Sequence, residues 1–188
     1  MQYKQLSDCG EVFEISNVFP RSYFNALIEE FDFKHNFINF DKRERPDQPL
    51  FGQHIDNSHG CKDHLGCNYK FIHAFRYVEH AAKKILKKDL QLERINTNYQ
   101  FYGMESDWHS DYEGPEEFWS MVTFINFEWD YTWDGQLVIC TKNRKYISVN
   151  PTPNTGALFP ANLDHRGSAP NRWCNSCRMS LAFLFKAV

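Results

Sequence analysis

The second half of the chain is a series of short apolar segments separated by turn-forming residues. Alternating or β-branched and aromatic patterns predict strands at residues 94–102, 118–129, 136–141, 145–149, 157–159 and 178–186. Turn signals such as Asp134-Gly135 and Thr155-Gly156 lie between them. Strands this short bury their apolar sides by pairing, so we expect antiparallel sheets that close on themselves or face each other.

The first half has a different pattern. A short strand is predicted at residues 12–15, a helix from Phe19-Pro20 to Phe31, and a second helix from residue 68 to about 88. Residues 41–67 are rich in Asp, Pro, Gly, Asn and His and are predicted to form a long loop. We therefore expect an α+β, mostly β fold with N-terminal helices packed on one side. Residues 1–188 are expected to form one domain, in which 1–90 carry the helices and the loop and 91–188 the sheet core.

Composition and charge bear on possible partners of the chain and on its location in the cell. A net charge of −3 gives no general attraction to nucleic acid or anionic membranes. Residues 1–10 lack the apolar core of a signal peptide, and no segment approaches the roughly 20 apolar residues of a membrane span. A cytoplasmic location is expected, with reduced cysteines. A second metal site at Cys61, Cys67, Cys174 and Cys177 stays open as an alternative to free thiols.

Two histidines and one aspartate are the candidate metal ligands. His109 and Asp111 are two residues apart, so in extended chain they project to the same side. His165 follows after about three predicted strands, which is enough chain to cross a sheet and return. Two His and one carboxylate leave coordination positions open and are typical of non-haem Fe(II) oxygenases, whereas a closed set of four ligands indicates structural zinc. The competing interpretation of His109 and Asp111 is a surface pair in a polar loop.

Arg178 lies in the last predicted strand, among apolar residues. A buried guanidinium needs an anion, because an unpaired buried charge is costly. Guanidinium and carboxylate pair through two parallel hydrogen bonds, so Arg178 predicts a carboxylate ligand. Ser180 shares a face with Arg178 and could hydrogen-bond the same carboxylate.

These motifs resemble the 2-oxoglutarate/Fe(II)-dependent oxygenase superfamily. His109-Ser110-Asp111, His165 and Arg178-Met179-Ser180 match its site pattern, and the flanking segments are similar to its prolyl-4-hydroxylase-like branch. Those segments are Tyr102-Gly103, Trp133-Asp134-Gly135-Gln136-Leu137 and Asn154-Thr155-Gly156-Ala157-Leu158-Phe159-Pro160. The chain departs from the pattern at Gly135-Gln136, where two small residues are usual, and at Arg178, where many collagen-type enzymes have lysine.

The resemblance implies a double-stranded β-helix, or jelly roll, with the metal at one mouth. It implies Fe(II), 2-oxoglutarate and O2, with ascorbate as a further candidate cofactor. His109, Asp111 and His165 would be the metal ligands and the catalytic residues, and Arg178, Tyr102 and Ser180 would bind the co-substrate. The tyrosine has an alternative interpretation as an aromatic that fills the barrel.

The substrate implied by the resemblance is a peptidyl residue, such as proline, that is hydroxylated with release of succinate and CO2. Residues 41–67 would form much of the substrate side, and Trp108, Trp119, Trp129 and Trp133 would line a groove or the core. One alternative is a nucleobase or small-molecule hydroxylase or demethylase, although the arginine-rich C-terminal signature of the nucleic-acid demethylases is missing. Another alternative is a non-catalytic, metal-binding jelly-roll module.

Overall fold

The computed structural model describes residues 1–8, 10–31, 38–39, 51–56, 69–114 and 117–188. Its helices are α1 (Arg21–Phe31) and α2 (Tyr69–Leu86), and a 3-10 turn spans Tyr131–Trp133. The strands are β1 (Gln2–Gln5), β2 (Phe13–Ser16), β3 (Ile38–Asn39), β4 (Phe51–Asp56), β5 (Leu90–Gln100), β6 (Phe118–Phe124), β7 (Leu137–Cys140), β8 (Tyr146–Val149), β9 (Thr155–Pro160), β10 (His165–Gly167) and β11 (Arg178–Ala187).

The strands form two antiparallel sheets. The larger sheet has the order β1-β2-β9-β6-β11-β5-β4-β3, and the smaller sheet has the order β10-β7-β8. β11, the last strand in sequence, lies between β5 and β6 in this sheet. This register places Arg178 opposite Gln100, and Ser180 opposite both Asn98 and Phe124.

Apolar side chains pack in two separate layers. One layer lies between the helices and the larger sheet, and its buried members include Phe24, Leu27, Val78, Ala82, Ile95 and Phe183. The other layer joins the two sheets, and includes Val122, Phe124, Leu137, Ile139 and Phe159. The helices therefore cover one face of the larger sheet, as predicted, and leave the space between the sheets to the site.

Most predicted strands are present with shifted ends. β6 ends at Phe124 rather than at residue 129, because Asn126 turns inward and bonds the backbone of Cys177 and Met179. β5 begins at Leu90 and ends at Gln100, before the turn at Gly103, whose φ is +78°.

The predicted long loop at residues 41–67 is wrong for its middle part. Residues 51–56 form β4, and all six of them pair with residues 94–99 of β5. The alternation in this short segment is hidden by the turn-forming residues around it, and only pairing with β5 makes it a strand. The rest of the predicted loop lies outside the described residues, and so do Cys61 and Cys67. Cys174 and Cys177 carry free thiols. No described helix is long and apolar enough to span a bilayer.

Asn154 fastens the start of α1 to the sheet. Its Oδ1 accepts from the amide of Phe19 and its Nδ2 donates to the carbonyl of Phe19, each at 2.9 Å. The backbone of Asn154 has φ +58°, the left-handed region that asparagine and glycine tolerate best. Its own amide bonds the carbonyl of Phe124 at the end of β6.

We expect Asn154→Ala to destabilise the protein by about 3 kcal/mol, since it loses two hydrogen bonds of about 1 kcal/mol each and puts a Cβ-bearing residue without local bonding at positive φ. Asn154→Gly should cost about 1 kcal/mol less, because glycine accepts this φ. Urea unfolding measures both. Asn150→Ala, an exposed position in the same turn region, serves as the control and should stay within about 0.5 kcal/mol of the parent. Equal losses for Ala and Gly would contradict the backbone argument.

Candidate metal centre

His109 and His165 are paired directly through their backbones. The amide of His109 donates to the carbonyl of His165 at 3.1 Å, and the amide of His165 donates to the carbonyl of His109 at 2.9 Å. Directly opposed residues of an antiparallel pair place their side chains on the same face. The two imidazole centroids are accordingly 4.4 Å apart.

Both histidines are held in the same way by their own loops. Nδ1 of His109 lies 2.8 Å from the carbonyl oxygen of Asp107, and Nδ1 of His165 lies 3.0 Å from the carbonyl oxygen of Leu163. A carbonyl oxygen only accepts, so each Nδ1 carries the proton and each Nε2 keeps a free lone pair. This is the tautomer that a metal ligand requires, with the second ring nitrogen oriented by the protein.

Asp111 completes the cluster. Its amide bonds the carbonyl of Ala161 at 2.9 Å, which sets the loop against the end of β9. Its Oδ2 lies 3.6 Å from Nε2 of His165 and accepts from the Ser120 hydroxyl at 2.6 Å. Its Oδ1 accepts from Nη2 of Arg94 at 2.9 Å. One ligand atom from each of His109, Asp111 and His165 can be chosen so that all lie within 4.8 Å of one another.

The electrostatics give Asp111 and His165 the protonation states of metal ligands. Burial by itself raises the pKa of Asp111, but His165 and the Ser120 hydroxyl, followed by Arg94, lower it by more, so its pKa lies below the usual 3.8. Burial lowers the pKa of His165 below 6.5, against the opposing effect of Asp111. At neutral pH Asp111 is therefore a carboxylate and His165 a neutral imidazole, as coordination demands.

Arg178 lies at the start of β11 with only 2% of its surface exposed. Its Nε donates to the carbonyl of Gly135 at 2.7 Å, and its Nη1 donates to Oε1 of Gln100 at 2.5 Å and to the Ser180 hydroxyl at 3.4 Å. Burial lowers its pKa to about 10, so it stays charged at neutral pH. Among the described residues no carboxylate forms an ion pair with it, so an enclosed cation is left without a matching anion.

Close backbone approach shapes the surroundings of Arg178. A Cβ added to Gly167 would lie 2.7 Å from Oε1 of Gln100 and 3.4 Å from Nη1 of Arg178. Gln100 is itself fixed, because its Nε2 donates to the carbonyls of Met104 and Gly167. Gly135 has φ +80°, and a Cβ there would lie 2.8 Å from the Trp129 ring. A side chain at either glycine would crowd Arg178 or the residues around it, so both positions depend on the absence of a Cβ.

The structure brings the donor atoms of His109, Asp111 and His165 together. Arg178 and Ser180 lie on β11, where Arg178 is close to Gly167 of β10. Tyr102 is placed differently from the prediction, since β5 has ended and the residue is 68% exposed in the following turn. Gln100, the last residue of β5, contacts Arg178. Trp108 is 41% exposed. Its ring centroid lies 5.5 Å from that of Tyr146 and 5.2 Å from Cζ of Arg166.

Sequence reasoning missed Arg94 and Ser120. Arg94 shares its strand face with residues 96, 98 and 100, so the period-two pattern could have placed it in the site. Its contact with Asp111 needed the tertiary structure, because Asp111 lies in a loop without a periodic pattern. Ser120 is buried in β6 next to apolar residues and carries no sequence signal of its own.

The residues fit a divalent metal with an anionic co-ligand. Two imidazole lone pairs and one carboxylate are the donors that a metal would need, and the buried Arg178 has only neutral partners among the described residues. Donor sets of two histidines and one carboxylate suit Fe(II) with open positions.

The chain was compared with known proteins in three ways. Residues 94–186 match the family described as the 2OG-Fe(II) oxygenase superfamily. No curated protein matches the chain. Among solved structures, a prolyl-4-hydroxylase of Pseudomonas putida covers 95% of this chain and 93% of its own, with 16% identity and a TM-score of 0.66.

Two further structures are similar. An oxidoreductase of the 2OG-Fe(II) oxygenase family from Burkholderia pseudomallei has 13% identity and a TM-score of 0.71, over 97% of this chain and 86% of its own. The third structure is a prolyl hydroxylase from Trichoplax adhaerens in complex with a peptide fragment of the hypoxia inducible factor oxygen degradation domain. It has 12% identity and a TM-score of 0.61, over 95% of this chain and 84% of its own. The structural similarity to these proteins shows the fold, and the predicted jelly roll is confirmed. Together with the family match they indicate a 2-oxoglutarate-dependent oxygenase with Fe(II) and O2, and they give no support to ascorbate.

We expect Mn(II) to stabilise the metal-free protein and Asp111→Ala to abolish that effect, since the substitution removes the charged donor. A metal at a hundred times its Kd adds about 2.7 kcal/mol, which is several degrees in Tm for a chain of this length. Thermal melts with and without Mn(II) measure it. Asp164→Ala, an exposed carboxylate next to His165, is the control and should keep the shift. An equal shift in Asp111→Ala would exclude Asp111 as a ligand.

Proposed function

We propose that this chain, whose residues 94–186 match the 2OG-Fe(II) oxygenase superfamily, hydroxylates a C–H bond of a peptidyl residue, with proline as the first candidate. The single observation that carries the choice of co-substrate is Arg178. It is a buried, charged guanidinium with no acidic partner among the described residues, and it lies close to Gly167, two residues after the candidate metal ligand His165. The far carboxylate of 2-oxoglutarate supplies the missing anion.

The chain's own residues have distinct tasks in this proposal. His109, Asp111 and His165 would hold the metal, and three protein donors would leave coordination positions for other ligands. Arg178 anchors the co-substrate by its far carboxylate, and Ser180 and Gln100 keep the guanidinium in position. Bound Fe(II), 2-oxoglutarate and O2 would supply the oxidising chemistry, which adds one oxygen atom to the substrate and the other to succinate as CO2 leaves.

Peptide substrates are favoured by the neighbours and by the charge of the chain. Two of the neighbours compared above are prolyl hydroxylases, and one of them holds a peptide fragment. The net charge of −3 gives no general attraction to nucleic acid. The proposal includes the prolyl-4-hydroxylase-like branch, one domain over residues 1–188, a cytoplasmic location and a part for Tyr102 in co-substrate binding. Small-molecule hydroxylation is an outcome that the substrate test distinguishes.

The first test follows the co-substrate. Protein with Fe(II), O2 and labelled 2-oxoglutarate should release succinate slowly without substrate and faster with a library of proline-containing peptides, since substrate binding couples the two oxidations. Mass spectrometry should find a gain of one oxygen on proline. A matched library with proline replaced by alanine is the control. Stimulation by both libraries would point to another peptidyl residue, and no succinate under any condition would refute the oxygenase.

The second test concerns the anchor. Arg178→Met should weaken 2-oxoglutarate binding to the metal-loaded protein by about 2–5 kcal/mol, the range for truncating one partner of a buried charge pair. Arg178→Lys should recover only part of this, because lysine cannot form the forked contact. Calorimetry measures both, and Arg172→Met, an exposed arginine over Trp173, is the control. Unchanged 2-oxoglutarate affinity in Arg178→Met would refute the assignment, whereas unchanged metal affinity is expected.

A further inference from the structure

Arg94 is a second cation at the metal centre that the proposed reaction does not use. Its Nη2 donates to Oδ1 of Asp111 at 2.9 Å, and its side chain is 29% exposed. Arg94 lies near the middle of β5, opposite Leu184 of β11, whereas Arg178 lies opposite Gln100 at the C-terminal end of β5. The two arginines therefore occupy different positions along one strand pair.

The two oxygens of Asp111 have different surroundings. Oδ2 is the one near Nε2 of His165, and after accepting from Ser120 it keeps a lone pair for a metal. Oδ1 is held by Arg94. A carboxylate that binds a metal through both oxygens takes two coordination positions, and one that binds through a single oxygen takes one.

We propose that Arg94 is a positioning residue that holds Oδ1 of Asp111 away from the metal and so keeps this ligand monodentate. This rests on the proposed function, since the position kept free is one that the 2-oxo acid or O2 needs. The same guanidinium repels a divalent cation and competes with it for the charge of Asp111, so its presence weakens metal binding. Arg94 therefore lowers the metal affinity and at the same time keeps one coordination position open.

The proposal predicts opposite changes in two affinities. Arg94→Met removes both the repulsion and the grip on Oδ1, so the Kd for Mn(II) should fall about tenfold. Asp111 can then chelate, and the Kd for 2-oxoglutarate on the Mn(II)-loaded protein should rise about tenfold. Outer contacts to metal ligands commonly change affinities by 10–100-fold, so changes of this size are measurable. A residue that only supports the fold would weaken both.

Calorimetric titration of Mn(II), and then of 2-oxoglutarate, measures the two values without turnover. Arg94→Lys keeps the charge and should lie between the parent and Arg94→Met for both ligands. Arg166→Met is the matched control, because Arg166 directly follows His165 in sequence and pairs with Glu105 at 3.6 Å. It removes the same charge without a contact to Asp111, and should change neither Kd by more than about twofold.

The outcomes separate the two proposals. If the parent protein binds neither Mn(II) nor 2-oxoglutarate, the oxygenase proposal fails before Arg94 is in question. If the parent binds both and Arg94→Met weakens both, or changes neither, the positioning role is refuted while the oxygenase stands. The same crossed change in Arg166→Met would assign the effect to general charge and also overturn the proposal. Thermal melts of each variant in EDTA check that it is folded.

Discussion

The direct backbone pairing of His109 with His165 is the contact on which the geometry of the site depends. It joins a loop after β5 to the first residue of β10, two segments that are far apart in sequence. Because the two residues are directly opposed, their imidazoles leave the pair on one side with centroids 4.4 Å apart. The next contact along the loop, from Asp111 to Ala161, brings the carboxylate to the same point. Two pieces of ordinary β-type hydrogen bonding thus assemble all three donors.

The charges around this point are arranged unequally. Asp111 is paired with Arg94 and also bonded by Ser120, and its carboxylate is stabilised in the ionised form. Arg178 is more deeply buried and has only neutral partners among the described residues. Arg94 already has an anionic partner, whereas Arg178 has none among the described residues, so an anionic ligand is favoured at Arg178. This difference is the physical reason for expecting a co-substrate carboxylate at Arg178 and a supporting role for Arg94.

Prediction from the sequence reaches furthest where a local pattern carries the information. Spacing and residue type single out His109, Asp111 and His165, whose donor atoms lie close together in the structure, and Arg178, which is buried. Tyr102 was misplaced because strand ends depend on where a turn intervenes, and Gly103 turns the chain after Gln100. The strand at Phe51–Asp56 was missed for a related reason, since its pairing partner β5, not its own pattern, decides its conformation.

The sequence by itself determined the chemical identity of the site: two imidazoles, one carboxylate and one buried guanidinium, on a strand-rich scaffold. Only the tertiary structure decided which oxygen of Asp111 faces His165, that Gln100 contacts Arg178, and that Arg94 and Ser120 hold the carboxylate. The reason is physical. Residue type and spacing along one strand are local properties, whereas contacts between side chains of β5, β6, β11 and the metal loop follow from the register of strands distant in sequence.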